Sequence, residues 1–259
     1  MGLTIHYKLK AKGTEAEARK IVEQLHQAAQ DLPFKELGDI IVLAGNDCVF
    51  DRKNRHDPKN WLICQAQGSL QLKNTHDMGG GEMGDSYLKV TPTHIIAFNA
   101  WPGEGCEESN FGLCQYPATI EHNGKRIRTK MAGWRWRSFC KTQYASDPAC
   151  GGIENFLRCH LLVVALLDKA KELGCLDEVH DEGKFWESRD VKALVPEIES
   201  WNGMIAAFAG QLKDTLGEGI EAPITEFPNF ERLELAGQKQ LTPHMQELAK
   251  LIKKVIKKN

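Results

Sequence analysis

Between Trp134 and Asp190 the chain places an amine, an imidazole and two carboxylates close to several aromatic rings: Lys141, His180, Glu182 and Glu187, among Trp134, Trp136, Tyr144 and Trp186. Imidazole and carboxylate side chains exchange protons near neutral pH or ligate a metal, and an ammonium group stabilises developing negative charge. These four residues are the candidate catalytic set. Trp134, Trp136, Gln143, Tyr144 and Trp186 are the candidate ligand wall, since indole and phenol rings give flat apolar faces with a polar handle. A second segment, Trp101 to Asn110, adds Trp101, Glu104 and Glu107 on a glycine-broken loop after an apolar strand. Loops at strand ends are common places for a site. The chemistry these groups can do is hydrolysis assisted by carboxylate, histidine or metal, in a polar pocket for a small ligand.

The elements that must position them form one unit. If Trp134 to Ala145 is extended, Trp134, Trp136, Ser138, Cys140, Thr142 and Tyr144 face one way and Arg135, Arg137, Phe139, Lys141 and Gln143 the other. Neither face is uniformly apolar, which suits a strand lining a pocket or a strand at a sheet edge. A glycine-led helix follows over Ile153 to Leu173, then a strand over Leu176 to Asp181 in which His180 and Glu182 share a face. A crossover of this kind brings its strand beside the opening strand.

Other motifs carry less. Eight cysteines contain no C-x-x-C pair, so a zinc ribbon or thioredoxin-like motif has no support. Cys140 could act as a nucleophile with His160 or His180 as base, but nothing in the sequence lowers its pKa and a structural thiol is the better reading. His160, on an apolar helix, reads as a satisfied core histidine. The Gly79 to Gly84 run lacks the Lys-Ser/Thr of a phosphate loop and reads as a surface loop; Gly151-Gly152 reads as a helix-entry turn. The dipeptides His56-Asp57, His76-Asp77 and His180-Asp181 lack the spacing of a metal motif.

Along the rest of the chain, Leu3 to Ala11 alternates as a half-buried strand and Thr14 with Glu17 forms a capping box for a helix ending at Pro33. Strands are expected over Leu37 to Ala44, Trp61 to Gln67 and Tyr87 to Trp101, the last interrupted at Pro92, and a hairpin over Thr119 to Thr129 around Asn123-Gly124. Helices follow over Val191 to Leu216 and from Thr242 onward, the latter rich in lysine. The pattern is α+β: a mixed or antiparallel sheet with β-α-β units and C-terminal helices. Two halves are expected, an N-terminal α+β half over 1–130 and a C-terminal α/β half with a helical tail over 131–259, although a single domain suits the pattern nearly as well; both halves contain strand, helix, strand, a pattern that recurs without duplication.

Composition bounds the function. The 259 residues carry 42% hydrophobic and 26% charged side chains and a formal net charge of -2, which gives no general electrostatic case for nucleic acid. Leu161 to Leu167 is far shorter than the ~20 apolar residues of a membrane helix. With no opening signal segment, a cytoplasmic protein is expected. The alternative to an enzyme is a non-catalytic protein-interaction or regulatory module, with Trp134 to Tyr144 as an edge strand that pairs with another chain. Neither a cofactor nor an oligomeric state is assigned, and the partner is an unspecified small molecule or protein.

Overall fold

The computed structural model describes residues 3–51, 53–54, 57–79, 82–216, 223–227 and 230–238. His56, Gly80, Gly81 and the helix expected from Thr242 lie outside the described residues.

The opening strand β1 (Thr4–Ala11) puts Ile5, Tyr7, Leu9 and Ala11 into the core and His6 and Lys10 into solvent, as its alternation requires. The Thr14–Glu17 capping box then starts α1 (Glu15–Gln30), whose Ala18, Val22, Leu25 and Ala29 form the buried stripe. The expected strand over Leu37 to Ala44 splits into β2 (Glu36–Leu37) and β3 (Ile41–Ala44), which bond in turn to one strand, β6 (His94–Trp101).

Trp61 to Gln67 is a helix, not a strand. Asp57 caps α2 (Pro58–Gln65) by accepting from Lys59 N–H at 3.0 Å, and Pro58 sits at its first turn. That cap-plus-proline signal outweighs the apolar run, and it leaves Cys64 exposed. Gly68–Gly79 and Glu82–Val90 then pair as β4 and β5, so Gly79 and the stretch from Glu82 to Gly84 belong to a two-stranded ribbon. Leu70 and Leu72 alternate with polar residues there, a strand signal that the glycines obscured. After Pro92 the chain continues as β6, β7 (Ser109–Gln115) and the hairpin β8 (Thr119–His122) with β9 (Lys125–Arg128). At its turn Asn123 and Gly124 take φ of 51° and 70°.

The last part of the sheet is β10 (Trp134–Lys141), α3 (Gly152–Glu172) and β11 (Leu176–Asp181). Residues 143–146 are a 3-10 turn, which ends β10 four residues earlier than Ala145. The seven-stranded sheet runs β11-β1-β10-β7-β6-β2, with β3 also on β6, and every neighbouring pair is antiparallel. β10 lies between β1 and β7, while β1 lies between β10 and β11. The two strand-helix-strand passages therefore interleave, the split β-α-β arrangement. The fold is α+β, and one apolar cluster runs from Leu3 through α1 and α3 to Ile198.

Beyond the sheet, α4 (Phe185–Ser188) and α5 (Val191–Leu216) follow β11, α5 continuing through Pro196 from the start expected for it. α6 (Phe230–Gly237) packs on α5. None of the described helices is long and apolar enough to cross a membrane.

Layering decides what is exposed. Helices α1 and α3 pack on one face of the sheet. The other face is covered only in part. Helix α2 reaches β10, where Gln65 donates to the Arg137 carbonyl at 2.6 Å, because β10 pairs with β7 only at Trp134 and Arg135. Past that point the outer face of β11, β1 and β10 carries exposed His6, Lys10, Arg137, Phe139, Glu178 and His180.

Candidate nucleic-acid interface

The residues proposed from sequence fall on both sides of this sheet. Lys141, His180 and Glu182 belong to the outer side, on β10, on β11 and just past the end of β11, with β1 between the two strands. Lys141 and Glu182 flank Thr4 from opposite sides, and the Lys141 ammonium lies over the Tyr144 ring at 4.5 Å. The Glu182 carboxylate accepts from Thr4 N–H at 2.9 Å, which commits it to the backbone of the sheet edge. Adjacent Asp181 points the other way, into the core, as strand alternation demands.

The other candidates lie elsewhere. Trp134 and Trp136 are core residues, and the Trp136 indole N–H donates to the Asn110 carbonyl at 2.7 Å. Gln143 is fully buried, its amide nitrogen donating to Asn202 Oδ1 at 3.0 Å. Trp186 packs on the helix side, with the Arg189 guanidinium over its ring at 4.3 Å, and Glu187 beside it is exposed. Trp101 donates to the Cys106 carbonyl and carries Lys35 over its ring, while Lys35 also pairs with Glu104. Glu107 meets the catalytic candidates only through its backbone N–H, which donates to the Lys141 carbonyl at 3.0 Å. One cavity does not gather them: the sheet itself stands between the two groups.

The buried imidazole, carboxyl and thiol of His160, Asp181 and Cys140 have structural partners. His160 is fully buried, with Nδ1 at 3.0 Å from Thr142 Oγ1 and Nε2 at 3.1 Å from Asp181 Oδ2. A hydroxyl, imidazole and carboxylate in series resemble a nucleophilic triad in type, but Thr142 has no solvent exposure through which a substrate could reach it. The relay ties β10, α3 and β11 together. Asp181 also accepts from the Gly183 and Trp186 N–H groups. Burial pushes its carboxyl up, but the His160 hydrogen bond and charge and those two backbone donors outweigh it and leave the pKa below normal. Cys140 is buried, its thiol pushed up by desolvation and donating to the Glu107 carbonyl, so it is a structural thiol. Among the described residues no group of three or more His, Cys, Asp or Glu is placed to hold a metal ion.

What the outer face does assemble is a different set. Lys8 lies directly opposite Arg137, and Lys10 opposite Arg135, in the β1–β10 register. Facing like charges destabilise a sheet, so two such pairs in succession oppose stability. Glu178, across from Lys8 on β11, pairs with it and offsets part of this repulsion; the pairing holds the Glu178 carboxyl below its usual range. The next row is aromatic: Phe139, 42% exposed, lies opposite His6, and His6 opposite His180. Their ring centroids are 5.8 Å and 6.2 Å apart, the two imidazoles stacked.

Beside the basic rows a cavity of about 160 Å³ is lined by Lys8, Arg135 and Arg137 with Asp177, and by Tyr116 and Met131. A second, of about 330 Å³, shares Tyr116 and Met131 and adds Arg128 and Lys130. Gly68 belongs here for a steric reason: a Cβ at this position would lie 2.8 Å from the Tyr116 ring. The two cavities thus share a wall and carry five basic side chains between them, and the aromatic row lies at the next positions of the β1–β10 register.

Sequence reasoning missed Lys8, Lys10, Arg135, Arg137 and Phe139 as a site. The signal was half present, since each strand shows its polar set by alternation. That the two sets are adjacent depends on the β1–β10 pairing, across more than a hundred residues. The same pairing places β10 between β1 and β7, with its ladder to β7 confined to Trp134 and Arg135, so only the later part of the strand is open on that side as the interaction-module reading expected. No family model matches the chain, and neither the curated proteins nor the solved structures compared with it contain a match.

Proposed function

We propose that the protein binds single-stranded nucleic acid across the outer face of β11, β1 and β10. The observation that carries this reading is the pair of like-charge rows, Lys8 with Arg137 and Lys10 with Arg135, beside exposed Phe139 flanked by His6 and His180. A basic groove tracks phosphates, and aromatic faces on a sheet stack with unpaired bases. Local charge, not the net value of -2, governs such contacts. Duplex does not suit the platform, because its bases are already stacked. Hydrolysis has less support: Glu182 is committed to the Thr4 amide, and Glu187 and Glu104 are remote from His180. We take the setting to be cytoplasmic, in line with eight cysteines that are all free thiols.

The test is fluorescence anisotropy with a labelled single-stranded 12-mer and the same sequence as a duplex at low salt. Single strand is expected to bind more tightly, and Phe139→Ala to weaken it by about 1–3 kcal/mol, the usual value of one stacked base. Its thermal midpoint should stay close to wild type because the ring is exposed. No binding of single strand, or equal binding by wild type and Phe139→Ala, would overturn the reading.

A further inference from the structure

Strand β11 has one irregularity, and it falls beside the basic side chains of the outer face. Lys8 pairs with Glu178 and Leu9 with Leu176, so Asp177 is an extra residue with no partner on β1. A bulge of this kind breaks the two-residue alternation and re-aims a side chain. Counting back from buried Asp181 and half-buried Val179, regular alternation would turn Asp177 toward the helix layer. Instead it is exposed, and it lines the outer cavity of about 160 Å³ together with Lys8, Arg135 and Arg137.

The surroundings of the cavity are held in place. The Tyr116 hydroxyl donates to the Ala66 carbonyl at 2.8 Å, and Arg135 Nε donates to the Ala132 carbonyl at 3.1 Å. A Cβ at Gly68 would lie 2.8 Å from the Tyr116 ring and 3.1 Å from the Met131 sulfur, so glycine leaves this wall undisturbed. Lys8 is paired with Glu178. The Asp177 carboxylate, by contrast, has no ion pair among the described residues, although three cations line the same cavity.

Resting on the reading that the outer face binds single strands, we propose that the strand is RNA and that Asp177 accepts a hydrogen bond from a ribose 2′-hydroxyl. Phosphates flank each ribose of a strand, so a sugar seated in this cavity brings them to Lys8, Arg135 and Arg137. A carboxylate placed there repels phosphate, and its use is toward a hydrogen-bond donor of the ligand. The 2′-hydroxyl is a donor at the level of the sugar, and it is the group that DNA lacks. Against DNA the carboxylate keeps its repulsion of the phosphates and gains no bond. Tyr116 and Met131 supply the apolar wall.

The experiment is fluorescence anisotropy of the full chain with a labelled 12-mer of adenine and cytosine, made as RNA, as DNA and as 2′-O-methyl RNA. The bases are the same in all three, so a carboxylate reading a base amine would give equal affinities. RNA is expected to bind about tenfold more tightly than the other two, the low end for one hydrogen bond to a charged group. Asp177→Ala should bind RNA more weakly than wild type and DNA no more weakly, so that the preference disappears. Its thermal midpoint should stay near wild type, because the side chain is exposed. Equal binding of RNA and DNA by wild type, or a preference that survives in Asp177→Ala, would sink the inference and leave single-strand binding standing. Failure of all three probes to bind would remove the underlying reading, and this inference with it.

Discussion

Asp181 shows how one residue can be charged, buried and yet stabilising. Its side chain has no solvent exposure, and its oxygens accept from His160, Gly183 and Trp186. Asn in its place supplies one acceptor oxygen where the carboxylate has two, so a buried donor loses its partner. Asp181→Asn should lower unfolding free energy by about 1–3 kcal/mol in urea titration. The pH dependence follows from the direction of the shift. A carboxyl whose folded pKa is depressed contributes stability above its unfolded pKa of about 3.9 and loses it as pH falls through the folded value. Wild type should therefore lose more stability than Asp181→Asn as the pH is lowered from about 5 through 3. The neighbours of Asp181 divide as alternation dictates: His180 faces solvent, and Glu182 folds back on the Thr4 amide. Three adjacent ligand-type residues thus serve three purposes.

At the scale of elements, β1 and β10 are the informative pair. Each was legible from its own alternation, with Ile5, Tyr7 and Leu9 inward on one and Trp134, Trp136 and Cys140 inward on the other. Their outward residues combine into facing cations, a local cost that binding of an anion would offset. Arg135→Thr removes one like-charge contact and inserts a good strand former. It should raise unfolding free energy by about 0.2–1 kcal/mol while weakening the single-stranded 12-mer, with denaturation and anisotropy measured on one preparation. A variant that gains no stability would mean that the arginine and lysine already avoid each other. Helix α2 teaches the opposite lesson. Its apolar run resembles a strand, and only the Asp57 cap and Pro58 before it mark a helix. α1 was plain because Thr14 and Glu17 make their capping box within four consecutive residues.

For the whole molecule, the net charge of -2 and the basic cavities are compatible because charge is unevenly distributed. Salt should expose this. If three phosphates are engaged, the logarithm of the association constant should fall with a slope of about -2 against the logarithm of salt, using roughly -0.7 per contact for single strands. Raising salt from 50 to 200 mM would then weaken binding about sixteenfold. A flat dependence would exclude phosphate contacts as the source of affinity.

The sequence by itself determined the α+β class, the alternation of β1, β10 and β11, the capping of α1 and the Asn123-Gly124 turn, because each follows from patterns of residues close in the chain; His160 read as a core histidine from its apolar helix, but its partners Thr142 and Asp181 come from other elements. Tertiary structure alone decided which faces meet. Lys141, His180 and Glu182 were proposed together with Trp101, Glu104, Gln143, Trp186 and Glu187, yet the sheet separates the two groups. Lys8, Lys10, Arg135, Arg137 and Phe139 become one surface only when β1 pairs with β10. The physical reason is that a strand's side-chain period is local, whereas its hydrogen-bonding partner is chosen by packing across the whole chain.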